Sequence, residues 1–226
     1  MALILSIDTS SKNCSVSLAK DGTLINTLEE YNDSFSHAEN LHFFCDKLMR
    51  ESECDFKDID AYAFSEGPGS YTGLRIGAAA IKGFSFSFEK PVILVSTLHS
   101  MAFSNNIKSG LLCPLMDSRV GEVYMALYDT DIKCLIDPHS HVLSEKSLLD
   151  FLKTNKIYFF GTGLEKVLKI IKHKNAYFTK NIVPSSRYLV EIAEAKYHKK
   201  EFADISNFEP LYLKEFIATK QRKNII

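Results

Sequence analysis

Ser65-Glu66-Gly67-Pro68-Gly69-Ser70-Tyr71-Thr72-Gly73-Leu74-Arg75-Ile76-Gly77 joins a strand pattern to a helix pattern. The apolar run at residues 59–64 enters it, and a small-residue helix pattern over 74–88 leaves it. Glycine, proline and hydroxyl residues between the two permit a sharp bend with accessible amides. A strand, a glycine loop and a helix N-terminus together suit an anion, because the first helical N–H groups have no internal partner. The same residues equally suit a tight turn that only lets strand and helix pack closely. Neither nucleotide signature is complete: the third glycine of G-x-G-x-x-G is missing, and no Gly-Lys-Ser/Thr follows.

Working outward, residues 3–7 form an apolar run closed by Asp8-Thr9-Ser10-Ser11. Asp8 sits where a carboxylate meets a cleft or hydrogen-bonds the turn. Asp8, Thr9, Ser10, Gly67, Gly69, Ser70 and Thr72 are therefore the candidate phosphate or nucleotide contacts. Residues 15–19 alternate as a half-buried strand, Asp21-Gly22 signals a hairpin, and 23–28 return as a third strand. Ser36 and Glu39 read as a capping box ahead of Leu41, Phe44, Cys45, Leu48 and Met49 at helical spacing. Phe43 lies off that stripe and points to a second buried face. Residues 92–95 form a buried strand, and a short helix follows at 99–103. The predicted order of the first unit is strand, strand, strand, helix, strand, helix, strand, helix.

A second unit begins at residues 111–117, another apolar run closed by an aspartate, Asp117. A strand at 123–128, a helix at 144–153, a strand at 157–160 running into Gly161-Thr162-Gly163, a helix at 185–198 and an extended segment at 208–213 follow. The alternation predicts an α/β protein of two related lobes, divided as 1–106 and 107–226.

With 226 residues and a net charge of −1, no global basic field recruits nucleic acid. Lys214, Lys220, Arg222 and Lys223 form a local basic cluster at the C-terminus. The five cysteines include no C-x-x-C pair, which argues against zinc and against a disulfide framework. No basic n-region precedes the first apolar run, so a cytoplasmic protein without a membrane span is expected. His37 and His42 are five apart, about 500° of helix rotation, leaving their imidazoles roughly 140° apart. They do not chelate one ion from a regular helix, and no metal site is expected.

Ile7-Asp8-Thr9-Ser10 and residues 67–77 together resemble the TsaB (YeaZ) family of bacterial tRNA threonylcarbamoyladenosine biosynthesis. Asp117-Ser118-Arg119, Glu122-Val123-Tyr124 and Pro210-Leu211-Tyr212-Leu213 extend the resemblance over the chain. It implies an actin/Hsp70/sugar-kinase-like fold with two ribonuclease-H-like lobes. It also implies a non-catalytic paralogue that supports a TsaD-like transferase together with a TsaE-like ATPase, on tRNAs that decode ANN codons. Under that resemblance tRNA is met indirectly through the complex, a homodimer is an alternative assembly, and ATP or ADP belongs to a partner interface. The partner-binding helices fall at 36–54 and 72–88, with Ser36, His37, Leu41, Phe43, Phe44, Leu74, Arg75, Gly77, Ala78, Ala80, Ile81 and Gly83 as interface candidates. Bulky residues at Gly77 and Ala80 are then expected to abolish the complex. Two other readings compete: an ATP-dependent phosphotransferase using Asp8 and the glycine loop, and a glycoprotease-like peptidase.

Overall fold

The computed structural model describes residues 2–32 and 37–214. The first lobe runs β1 (Leu3–Asp8), β2 (Asn13–Lys20), β3 (Thr23–Tyr31), α1 (His37–Glu51), β4 (Ala61–Gly67), α2 (Tyr71–Phe88), β5 (Val92–Ser96) and α3 (Thr97–Phe103), the order read from the sequence. Asp21 and Gly22 both take positive φ, 51° and 71°, the twist a two-residue hairpin needs. The sheet order is β3-β2-β1-β4-β5, antiparallel through the hairpin and parallel from β1 to β5.

The second lobe runs β6 (Leu111–Asp117), β7 (Glu122–Tyr128), β8 (Cys134–Val142), α4 (Leu149–Thr154), β9 (Ile157–Gly161), α5 (Leu164–Ile170) and β10 (Ala176–Thr179). Its sheet order, β10-β9-β6-β7-β8, repeats the first with β6 in the place of β1. The two lobes share one plan, and the fold is the two-lobed α/β architecture expected. Two strands escape the sequence reading. β8 is an edge strand that contains Pro138 and little apolar alternation, and β10 has four residues. The helix expected from 144 starts only at Leu149, because Ser147 Oγ accepts from Ser144 N and holds a turn there.

Strand alternation sends Leu5, Ile7, Tyr62 and Phe64 to a core under α1 and α2, and Ile4, Ala61 and Ala63 to the opposite face. That opposite face is covered from far along the chain. A single 3-10 turn (Ser186–Leu189) leads into α6 (Val190–Lys199), and Leu189, Ile192 and Ala193 pack on Ile4, Ala61, Ala63, Ile93 and Val95. Residues 107–226 therefore do not form one lobe, because a sheet with two apolar faces needs a helix on each. Hydroxyls seal the crossing: Ser186 Oγ lies 2.7 Å from Ser15 Oγ and 2.6 Å from Ser17 Oγ, and Arg187 pairs with Glu29.

The segment after α6 then straps both lobes. Ala203 N donates to Val92 O at 2.8 Å, Phe208 is buried, and Leu211 N donates to Glu66 O at 2.7 Å. Lys214 reaches Glu122 in the second lobe. The expected extended segment at 208–213 is this strap, unpaired as a strand. Lys220, Arg222 and Lys223 of the basic cluster, and Ser36 with its capping box, lie outside the described residues.

Candidate functional site

The glycine loop is closed by its own chain. Ser70 N donates to Ser10 O at 2.7 Å, Gly73 N to Ser70 Oγ at 3.2 Å, and Leu74 N to Ser70 O at 2.8 Å. Thr9 Oγ1 donates to Gly73 O at 2.7 Å, tying the first turn to the start of α2. A Cβ on Gly69 would stand against Ser10 O and 2.8 Å from Ser10 Cβ, so the glycine serves close approach of two loops. The Ser70 and Gly73 amides are spent on this junction, which agrees with the packing reading of the stretch. Of the phosphate candidates, Asp8, Thr9, Ser10 and Gly67 are buried, Gly69 and Ser70 half-buried, and Thr72 exposed.

Asp8 does not face the cleft. Its Oδ1 accepts from Ser10 N at 2.9 Å and Ser10 Oγ at 2.7 Å, while Oδ2 is fully buried. Burial pushes its carboxyl above the ordinary 3.8, against the pull of hydrogen bonding from Ser10 and the Ser65 side chain. A carboxyl enclosed by protein is poorly placed to hold magnesium through water, which weighs against the phosphotransferase reading.

Across the cleft, Lys166 organises the opposite wall. Its Nζ donates to Ser118 O, Arg119 O and Glu122 O at 3.0, 2.8 and 3.0 Å and lies 2.5 Å from Asp117 Oδ1. Three carbonyls and a carboxylate fix the turn that presents Glu122 to Lys214. A cavity of about 260 Å³ lies between this turn, Gly69, Tyr71 and the strap. Sequence reasoning singled out Asp117 and missed Lys166, which lies on α5 behind a glycine-flanked turn without a motif of its own.

The partner-interface candidates divide by face. His37, Leu41, Leu74, Gly77, Ala78, Ala80 and Ile81 are buried in their own lobe. A Cβ on Gly77 would meet Thr9 Oγ1 and come within 2.6 Å of Phe64 Cε2, so this glycine admits the core of its own lobe and not a partner. A bulky residue at Gly77 would therefore disturb its own lobe, whereas Ala80, though buried, also lines the groove between the two helices. Phe44 is half-buried, whereas Phe43, Arg75 and Gly83 are exposed. Arg75 sits 4.2 Å over the Tyr71 ring and donates to Tyr212 Oη at 3.4 Å, so it is committed to the strap.

What the two helices do present is an open groove of about 600 Å³ with a mainly apolar lining, among it Ala38, His42, Ile76, Ala79, Gly83 and Phe84. A Cβ on Gly83 would meet nothing within 4 Å. Phe43 and Phe86 stand 55% and 83% exposed on the same helices. Ala79, Ile76 and Phe86 were absent from the sequence candidates. The missed signal is the stripe 72, 75, 79, 83, 86, which runs opposite the buried 74, 77, 81, 85 on the helical wheel.

His37 Nε2 lies 2.7 Å from Ser11 O, and burial holds its imidazole below 6.5. His42 turns the other way, edge-on to the Phe84 ring with centroids 5.7 Å apart. Among the described residues no three His, Cys, Asp or Glu groups converge as metal ligands. No described helix is long and apolar enough to cross a membrane.

The family profile described as TsaD: tRNA N6-adenosine threonylcarbamoyltransferase matches residues 32–220. The tRNA threonylcarbamoyladenosine biosynthesis protein TsaB of Haemophilus influenzae is 28% identical over 96% of this chain and 96% of its own. TsaB of Buchnera aphidicola subsp. Schizaphis graminum is 30% identical over 75% of this chain and 70% of its own. Among solved structures, YeaZ from Pseudomonas aeruginosa superposes with a TM-score of 0.81 at 25% identity, covering 94% of this chain and all of that one.

Proposed function

This chain belongs to the TsaD family of tRNA N6-adenosine threonylcarbamoyltransferases, within its TsaB group, and from that premise we propose that it is the accessory subunit of a threonylcarbamoyl-transfer complex. It takes part in tRNA threonylcarbamoyladenosine biosynthesis, as its TsaB relatives are named for. In this reading it docks a TsaD-type transferase subunit and supports modification of the adenosine beside the anticodon of ANN-decoding tRNAs. A TsaE-type ATPase completes the complex, and any ATP or ADP is held at a partner interface. The same face seats a second copy of the chain when the transferase is absent.

The observation that carries this is the groove between α1 and α2, whose lining is small at Ala79 and Ala80 and bare of a side chain at Gly83. Small residues on an exposed helix pair let another helix approach closely, and Phe43 and Phe86 offer anchors of the kind interfaces concentrate. The closed glycine loop and enclosed Asp8 support a subunit without a catalytic centre of its own. The peptidase reading has nothing in the geometry to favour it.

The test is co-purification with the transferase subunit and reconstituted threonylcarbamoyl transfer, using Ala79→Trp and Gly83→Trp. Both positions are exposed, so the fold is retained. Loss of the complex, with modification reduced to the level seen without this chain, is expected. Retained binding places the interface elsewhere, and full modification without the chain overturns the accessory role.

A further inference from the structure

The near-neutral total conceals a separation of charge along the chain. Residues 1–106 carry fourteen carboxylates against eight lysines and arginines, and residues 107–226 carry nineteen lysines and arginines against fourteen carboxylates. The excess concentrates between residues 151 and 182, where seven lysines accompany one carboxylate, Glu165.

The fold gathers this excess along the free edge of the second sheet. Lys156 precedes β9, and Lys172 and Lys174 precede β10. Those strand starts are adjacent, since Ile157 N donates to Asn175 O at 2.9 Å. Lys169 stands on α5, which connects the two strands. Lys180 follows β10, one four-residue strand (about 13 Å) along the edge, at a cavity between the lobes that Tyr31 and Thr162 also line. All five lysines are exposed, and among the described residues none of them pairs with a carboxylate. Tyr177 stands among them, 39% exposed. It stacks on Tyr158 with centroids 5.1 Å apart, and Lys156 Nζ lies 5.6 Å above its ring.

Single solvated lysines need no partner, but five lysines without a carboxylate partner around an exposed aromatic on one sheet edge, one of them (Lys172) donating to Leu168 O at 2.6 Å, match a phosphodiester backbone with bases to stack. A membrane surface fits less well. Interfacial binding needs apolar side chains to insert, and Tyr177 is the one exposed large hydrophobe described between residues 151 and 182. We propose that this edge, with Lys156, Lys169, Lys172, Lys174 and Lys180 around Tyr177, is an RNA-contact surface that seats tRNA on the second lobe. It leaves the more acidic first lobe and its α1/α2 groove to the protein partner. The naming of the RNA as tRNA rests on the tRNA-modification reading above.

The variant Lys169→Gln/Lys172→Gln/Lys174→Gln tests it, with Lys20→Gln/Lys47→Gln/Lys57→Gln on the first lobe as the charge-matched control. Binding of unmodified ANN-decoding tRNA to the full chain, alone and with the transferase subunit, is followed by fluorescence anisotropy from 50 to 200 mM salt. Each phosphate contact contributes about 0.9 to the slope of log K against log[salt], so losing three flattens it by about 2.7. The advantage of the wild type over the variant then shrinks about 40-fold across that fourfold salt range, while the control keeps the wild-type slope. The variant still co-purifies with the transferase subunit. Equal tRNA affinity and slope in wild type and variant overturn the proposal, as does absence of tRNA binding at 50 mM salt in both preparations. Loss of binding to phosphatidylserine vesicles with tRNA binding intact overturns it in favour of a membrane face. Because RNA binding is read directly, the result stands apart from whether this chain is required for modification.

Discussion

Gly77 and Gly83 lie six residues apart on α2, and alanine at the two positions has opposite expected effects. At Gly77 the added Cβ would stand against Thr9 Oγ1 and 2.6 Å from Phe64 Cε2, where comfortable carbon contacts are about 3.5–4.0 Å. Thr9 and Phe64 are both fully buried, so neither has room to retreat. Overpacking of this kind costs about 1–3 kcal/mol. Displacing Thr9 Oγ1 also breaks its buried hydrogen bond to Gly73 O, a further 1–3 kcal/mol or so. Alanine returns about 1 kcal/mol of helix propensity, leaving Gly77→Ala destabilised by about 2 kcal/mol or more. At Gly83 the Cβ meets nothing within 4 Å, and only the propensity gain of about 1 kcal/mol remains. The gap between the two variants is therefore about 3 kcal/mol. Urea titrations of both variants with unchanged m-values measure it directly. In thermal melts Gly77→Ala lowers Tm by about 4–8 °C and Gly83→Ala raises it by about 2–4 °C. A Gly77→Ala protein as stable as the wild type, but unable to bind the transferase subunit, would refute the assignment of Gly77 to the inner face.

Two further outcomes follow from buried and half-buried charges. Asp8 has a folded pKa raised above its unfolded value of 3.8, so the folded state is favoured while the carboxyl is protonated and loses that advantage as pH rises. Asp8→Asn is therefore more stable than the wild type at pH 7, and the difference disappears as pH falls below about 3.8, as pH-dependent urea midpoints will report. Lys166→Met removes the donor shared by Ser118 O, Arg119 O and Glu122 O and leaves Asp117 unpaired. It is expected to cost about 2 kcal/mol and to raise hydrogen exchange at residues 118–122, whereas unchanged exchange there shows that the turn holds without the lysine.

The order of strands and α-helices in the first lobe is legible in the sequence, because each element there announces itself locally. Residues 3–7 and 59–64 are apolar runs, Asp21-Gly22 is a hairpin turn, and the glycine loop marks where strand becomes helix. The family is legible as well, since the ordering of residues 67–77 is specific. Tertiary structure alone decided where surfaces point. The periodicity of α2 shows two stripes, and only the packed sheet tells that 74, 77, 78 and 81 face inward while 79, 83 and 86 face out. The same holds for β8 and β10, edge strands with too little buried surface to write a period of two, and for α6, whose stripe answers a sheet face roughly one hundred to one hundred and ninety residues earlier in the chain. Asp8 makes the point most sharply. An aspartate closing a strand reads either as a carboxylate at a cleft or as a turn's hydrogen-bond acceptor, and it is buried against Ser10 where Gly69 and Gly73 bring a second loop down on Thr9 and Ser10. Local sequence records propensity and period, but burial is a relation between segments distant in the chain, and it is burial that packs the glycine loop against the turn at Thr9 and Ser10.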